Sequence, residues 1–145
     1  MKMPEPHAPA AQAPGAYAKT TRAITVFVQP TYLPDQSSPD ENHFVWAYQV
    51  RIENGSNGTV RLLNRCWRIT DSQGRTQEVR GEGVVGKQPR LVPGGTFEYT
   101  SGTPLATPSG FMTGSYEMEN ETGERFEIEV PVFSLDSPHQ PARLN

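Results

Sequence analysis

Phe44, Trp46, Tyr48, Val50 and Ile52 occupy every second position of the chain, with Val45, Ala47, Gln49, Arg51 and Glu53 between them. A period of two belongs to an extended strand, whose successive side chains leave opposite faces, and it argues against a helix over this stretch. One face is apolar and the other turns polar, so one side of the strand must lie against a core. Asn54-Gly55 and Asn57-Gly58 follow, and both residue types tolerate the positive φ that a hairpin connection needs. The chain is therefore expected to reverse there and return as a second strand over 59–70.

The same period recurs at 24–29, 76–80, 96–101, 111–118 and 126–132, with turn sequences Asp71-Ser72-Gln73-Gly74, Pro93-Gly94-Gly95 and Asn120-Glu121-Thr122-Gly123 between strands. About seven short strands without a helical period predict an all-β chain: two antiparallel sheets packed face to face, an immunoglobulin-like or fibronectin type III-like β-sandwich. Cys66 is the only cysteine, so the Cys-Trp-Cys pattern of antibody domains is absent and the fibronectin-like variant is expected. Within 59–70, Leu63, Arg65, Trp67 and Ile69 share one side, and Leu62, Asn64, Cys66 and Arg68 the other. Arg65 interrupts an apolar row, a placement expected at a sheet edge. Trp46, Tyr48 and Trp67, on alternating strands, read as core.

A length of 145 residues suffices for one core, and the 14 prolines and 13 glycines gather between strands and toward the ends. Residues 1–22 have few large apolar side chains and are expected to form a disordered tail, 23–133 the sandwich, and 134–145, with Pro138 and Pro141, a second tail. Acidic residues outnumber Lys and Arg by 16 to 13, which gives no general attraction for nucleic acid or anionic lipid. A lone thiol and an N-terminus lacking a secretory apolar segment predict the cytoplasm, and no apolar run is long enough for membrane insertion. The glycosylation sequons at Asn54, Asn57 and Asn120 then read as turn chemistry. His7, His43, His139 and Cys66 are scattered, so neither a metal site nor a thiol–imidazole pair is expected, and no cofactor; an enzyme is not the expectation.

The most unusual stretch is Arg80-Gly81-Glu82-Gly83-Val84-Val85-Gly86-Lys87-Gln88-Pro89-Arg90. Gly81, Gly83 and Gly86 have the spacing of a dinucleotide fingerprint. That fingerprint needs a helix to follow, and Pro89 with the turn at Pro93 forbids one. A weaker anion nest remains, with Arg80, Lys87 and Arg90 as charges and Glu82 opposing them. Three hydrogen bonds at about 1 kcal/mol each give about 3 kcal/mol, short of the ~4 kcal/mol of a millimolar site. The structural reading is that the glycines serve a bulge or a close crossing at the sandwich edge.

The segment from Gly81 through Gln88-Pro89-Arg90 to Gly94, with Tyr99-Thr100-Ser101-Gly102, Gly114-Ser115-Tyr116-Glu117-Met118 and the Arg65–Asp71 stretch around Trp67, resembles the bacterial ApaG family over about 24–133. The resemblance implies a fibronectin-type sandwich. It also implies a protein-interaction role, since the same domain occurs in eukaryotic F-box proteins and in a DNA polymerase delta-interacting protein. The bacterial family is linked genetically to cobalt tolerance and magnesium efflux, a link that can only be indirect for a chain without a membrane segment. A non-enzymatic binding module for an unidentified protein partner is therefore the leading expectation. Its candidate surface is Arg80, Gly81, Glu82, Gly83, Val84, Val85, Gly86, Lys87, Gln88 and Arg90. The alternative is weak binding of phosphate, pyrophosphate or a nucleotide by the same loop. Pairing of two copies through a strand edge is a further expectation.

Overall fold

The computed structural model describes residues 16–139. Among these, nine strands follow one another: β1 (Tyr17–Thr21), β2 (Ile24–Tyr32), β3 (Phe44–Asn54), β4 (Val60–Asp71), β5 (Thr76–Glu82), β6 (Arg90–Leu91), β7 (Thr96–Leu105), β8 (Ser109–Asn120) and β9 (Arg125–Asp136). The first sheet has the order β1-β2-β3-β7; the second runs β5-β4-β8-β9, with β6 also pairing β4, and every pairing is antiparallel. The result is the expected β-sandwich. The remainder of the two expected tails, 1–15 and 140–145, with His7, lies outside the described residues.

The core lies between the sheets and follows the alternation. Phe44, Trp46, Tyr48, Val50 and Ile52 of β3 are buried, facing Trp67, Met112, Tyr116, Ile128 and Phe133 of the second sheet. Trp67 meets Tyr48, Tyr116 and Phe133 edge-on at 5.2, 6.1 and 6.1 Å, a geometry that contributes about 0.5–1.5 kcal/mol per pair beyond burial.

Asn54, at the end of β3, is 1% exposed and acts as a splice between the sheets. Its Nδ2 donates to the Gly58 and Leu91 carbonyls at 2.8 and 2.9 Å, and its Oδ1 accepts from the Ser56 amide and hydroxyl. Asn120 makes the corresponding turn with Thr122 and Glu124. At these two sequons the side chains are thus turn elements.

Three sequence expectations change. The expected N-terminal tail is strand from Tyr17: Tyr17 packs against Phe133 at 6.1 Å and its hydroxyl accepts from the Ser134 amide. The expected C-terminal tail is strand through Asp136, because Leu135 is buried and the Trp46 indole N–H donates to the Asp136 carbonyl at 2.9 Å. Arg65 is not at an edge, since β4 lies between β5 and β8. A bulge between Leu62 and Asn64 shifts β4 by one residue, so Leu62 is fully buried and the later inward row is Arg65, Trp67 and Ile69.

The two sides of the sandwich differ. β1 lies along β9, tied by the Glu129 amide on Thr21 Oγ1, by Lys19–Glu129 at 2.8 Å, and by Arg22 stacked 4.1 Å over Phe126. Among the described residues no hydrogen bond joins β5 to β7 on the other side. No helix of the described residues is long and apolar enough to cross a membrane.

Candidate functional site

The glycine-rich stretch closes a tight hairpin at the open side of the sandwich, and the bulge in β4 receives its base. The Leu63 carbonyl, left over by the bulge, accepts from the Gly83 amide at 2.8 Å and from Gln88 Nε2 at 2.9 Å. The Leu62 amide donates to the Pro89 carbonyl at 3.0 Å, and Arg90-Leu91 then pairs with Val60-Arg61. Between these anchors Val84 and Lys87 exchange backbone hydrogen bonds at 2.8 and 2.9 Å around Val85-Gly86. Val85 has φ 42° and Gly86 φ 80°. Positive φ at both central residues is the primed turn that matches strand twist.

Arg65 clamps the hairpin from inside. Its Nη1 donates to the Glu82 and Gly83 carbonyls at 3.2 and 2.8 Å, and its guanidinium lies over Gly81, where a Cβ would come within 2.6–2.8 Å of it. A Cβ at Gly83 would stand 2.4 Å from the Lys87 carbonyl oxygen, on a backbone with φ +66°. Behind the clamp the Tyr99 and Tyr116 hydroxyls share a 2.5 Å hydrogen bond. Burial pushes both phenols above their ordinary value, and nearby Arg65 partly counteracts it.

The expected binding residues therefore separate. Val84 is fully buried and belongs to the core, not to a contact surface; the hairpin's return toward β4 tucks its side chain between the sheets. Gly81 and Gly83 are spacers for Arg65 and Lys87. Arg80 points outward on β5 and pairs with Glu78 at 3.3 Å, away from the apex. Glu82, Val85, Gly86, Lys87, Gln88 and Arg90 are exposed, with Val85 54% so. The amides of Gly83, Val84 and Lys87 donate within the protein, so the loop does not offer the run of convergent amides an anion nest requires. After Gly86 the chain enters β6, not a helix.

The role of Arg65 escaped the sequence reading. Its signal was a glycine, Gly81, at the position that pairs with it across strands. Cys66 faces outward, half-buried, with its Sγ 3.6 Å from Glu78 Oε2. Desolvation raises this thiol above its ordinary value more than the Arg80 charge lowers it, which disfavours the thiolate.

Fold and hairpin together define a two-sheet β-sandwich domain with an arginine-clamped, glycine-rich hairpin at its open side. The profile of the ApaG domain (DUF525) matches residues 34–120, and the chain belongs to that family. Protein ApaG of Paramagnetospirillum magneticum (strain AMB-1) is 64% identical over 129 residues, covering 89% of this chain and 99% of the relative. Protein ApaG of Rhodospirillum centenum is 62% identical with the same coverage. Among solved structures, the putative ApaA protein from Bordetella pertussis superposes with a TM-score of 0.78 at 50% identity, covering 81% of this chain and 95% of that one. The structural-genomics target SoR45 gives 0.77 at 35% identity over 88% and 96%.

Proposed function

We propose that this chain is a non-enzymatic cytoplasmic binding module that engages a protein partner through the hairpin apex, with Val85 and Lys87 as its central contacts. The observation that carries this is Val85, a β-branched residue at φ 42° with its side chain in solvent. Such a conformation costs about 1–3 kcal/mol. Gly86 beside it, with nothing within 4 Å of where its Cβ would stand, shows that the turn itself asks for backbone freedom and not for a side chain. What valine adds is an apolar knob on a rigid base, next to a cation, at a loop tip. The family's link to cobalt tolerance and magnesium efflux would then run through that partner. Weak phosphate binding is the second reading, favoured by Lys87 and Arg90, neither of which forms an ion pair among the described residues.

Quantitative capture from bacterial lysate tests the first reading. A partner should be retained by wild type and by Arg68→Glu on the outer sheet face, and lost about tenfold or more by Val85→Asp and Lys87→Glu. Identical retention by all four proteins would contradict it. An NMR titration with millimolar pyrophosphate tests the second: saturable shifts confined to residues 85–90 would favour it over the first.

A further inference from the structure

The free edges of the sandwich are not equally guarded. β1 and β9 cover one another through the contacts above. β5 presents Glu78, Arg80 and Glu82 along its exposed edge, charges that discourage edge pairing. β7 pairs only β3 among the described residues and carries one charged residue, Glu98, in ten.

The ladder phase identifies which backbone groups of β7 face outward. The Asn54 amide donates to the Gly95 carbonyl, so β7 residues that pair with β3 by hydrogen bonds are 97, 99, 101, 103 and 105. Pro104, which has no N–H, agrees with this phase. Thr96, Glu98, Thr100 and Gly102 therefore direct their N–H and C=O groups to the open edge.

These four residues are self-complementary. Reversing the strand about Tyr99 sets Thr96 opposite Gly102 and Glu98 opposite Thr100, and leaves Pro104 outside the ladder. Every outward N–H then meets an outward carbonyl, and no charge meets its like. A two-fold axis about Glu98 would instead oppose the two carboxylates.

We propose that β7 is a self-association edge: two copies of this chain pair antiparallel about Tyr99 and join their first sheets into one continuous eight-stranded sheet. The surface is distinct from the hairpin apex, and its test does not depend on the hairpin reading. An edge contact alone buries less than the roughly 1,200 Å² of a stable interface, so the dimer is weak and appears at high concentration.

Sedimentation equilibrium of the full chain from micromolar to millimolar concentration tests this. Wild type and Val85→Asp should both shift from the mass of one chain toward that of two. Thr100→Glu, which opposes Glu98 twice across the axis, should weaken association several-fold or more. Thr100→Lys, which pairs with Glu98 twice, should strengthen it several-fold. A wild type that stays monomeric throughout would overturn the proposal, as would Thr100→Glu and Thr100→Lys acting alike. Melting curves of both variants close to wild type show that the effect lies on the edge, since the Thr100 side chain is exposed.

Discussion

At the root of the 81–90 hairpin a Cβ on either glycine would force a neighbour to move, whereas at its apex it would meet nothing. Gly81 gives way to Arg65 and Gly83 to Lys87, while Gly86 faces open space. The same split separates adjacent valines, with Val84 fully buried and Val85 54% exposed on a strained backbone. One glycine-rich segment thus holds two kinds of residue. The root is fixed by packing and by the Arg65 clamp, and only the apex is free to serve something outside the fold.

The strongest way to break this comparison is to exchange charge between the two valines. Val84→Asp buries an unpaired carboxylate and should cost about 4 kcal/mol or more, enough to threaten folding of a domain of this size. Val85→Asp makes an Asp-Gly pair, which the primed turn also favours, and should lose nothing in urea denaturation, gaining up to about 1 kcal/mol. Equal losses would place both valines in the core. Next in size, Arg65→Met removes the donors to the Glu82 and Gly83 carbonyls and should cost about 2–3 kcal/mol. It should also speed amide exchange at Gly83, Val84 and Lys87 more than in β8.

Alanine at two glycines sharpens the same division. Gly83→Ala meets both the Lys87 carbonyl and a positive φ and should cost about 2–3 kcal/mol. Gly86→Ala meets only the φ and should cost about 1 kcal/mol. Thermal melts of the pair, run side by side, check the order. A larger loss at Gly86 would mean that the apex, not the root, is the constrained part.

How much of this was legible in the sequence follows from where local pattern decides structure. The β3 alternation named its buried face correctly because every second residue from Phe44 to Ile52 is large and apolar. β4 carries Leu62 and Leu63 together, and periodicity alone cannot say which turns inward when a bulge shifts the register. β1, with Lys19, Thr20 and Thr21 after Tyr17, has no such pattern. It is a strand because β2 and β9 flank it, which is tertiary context. The hairpin was recognisable as a glycine-rich turn, yet Val84 and Val85 look alike until the turn type assigns one to each side. Arg65 looked like an edge residue because its partners are backbone carbonyls far along the chain.

The most direct test of the division between root and apex is the melting temperature of Val85→Asn. This substitution creates an Asn-Gly pair, the favoured sequence for a primed two-residue turn, and removes the exposed apolar side chain. Relief of about 1 kcal/mol of backbone strain should raise the melting temperature by about 3 °C or more. A melting temperature below wild type would mean that Val85 contributes to the fold, and the apex would lose its claim to be a surface held for binding.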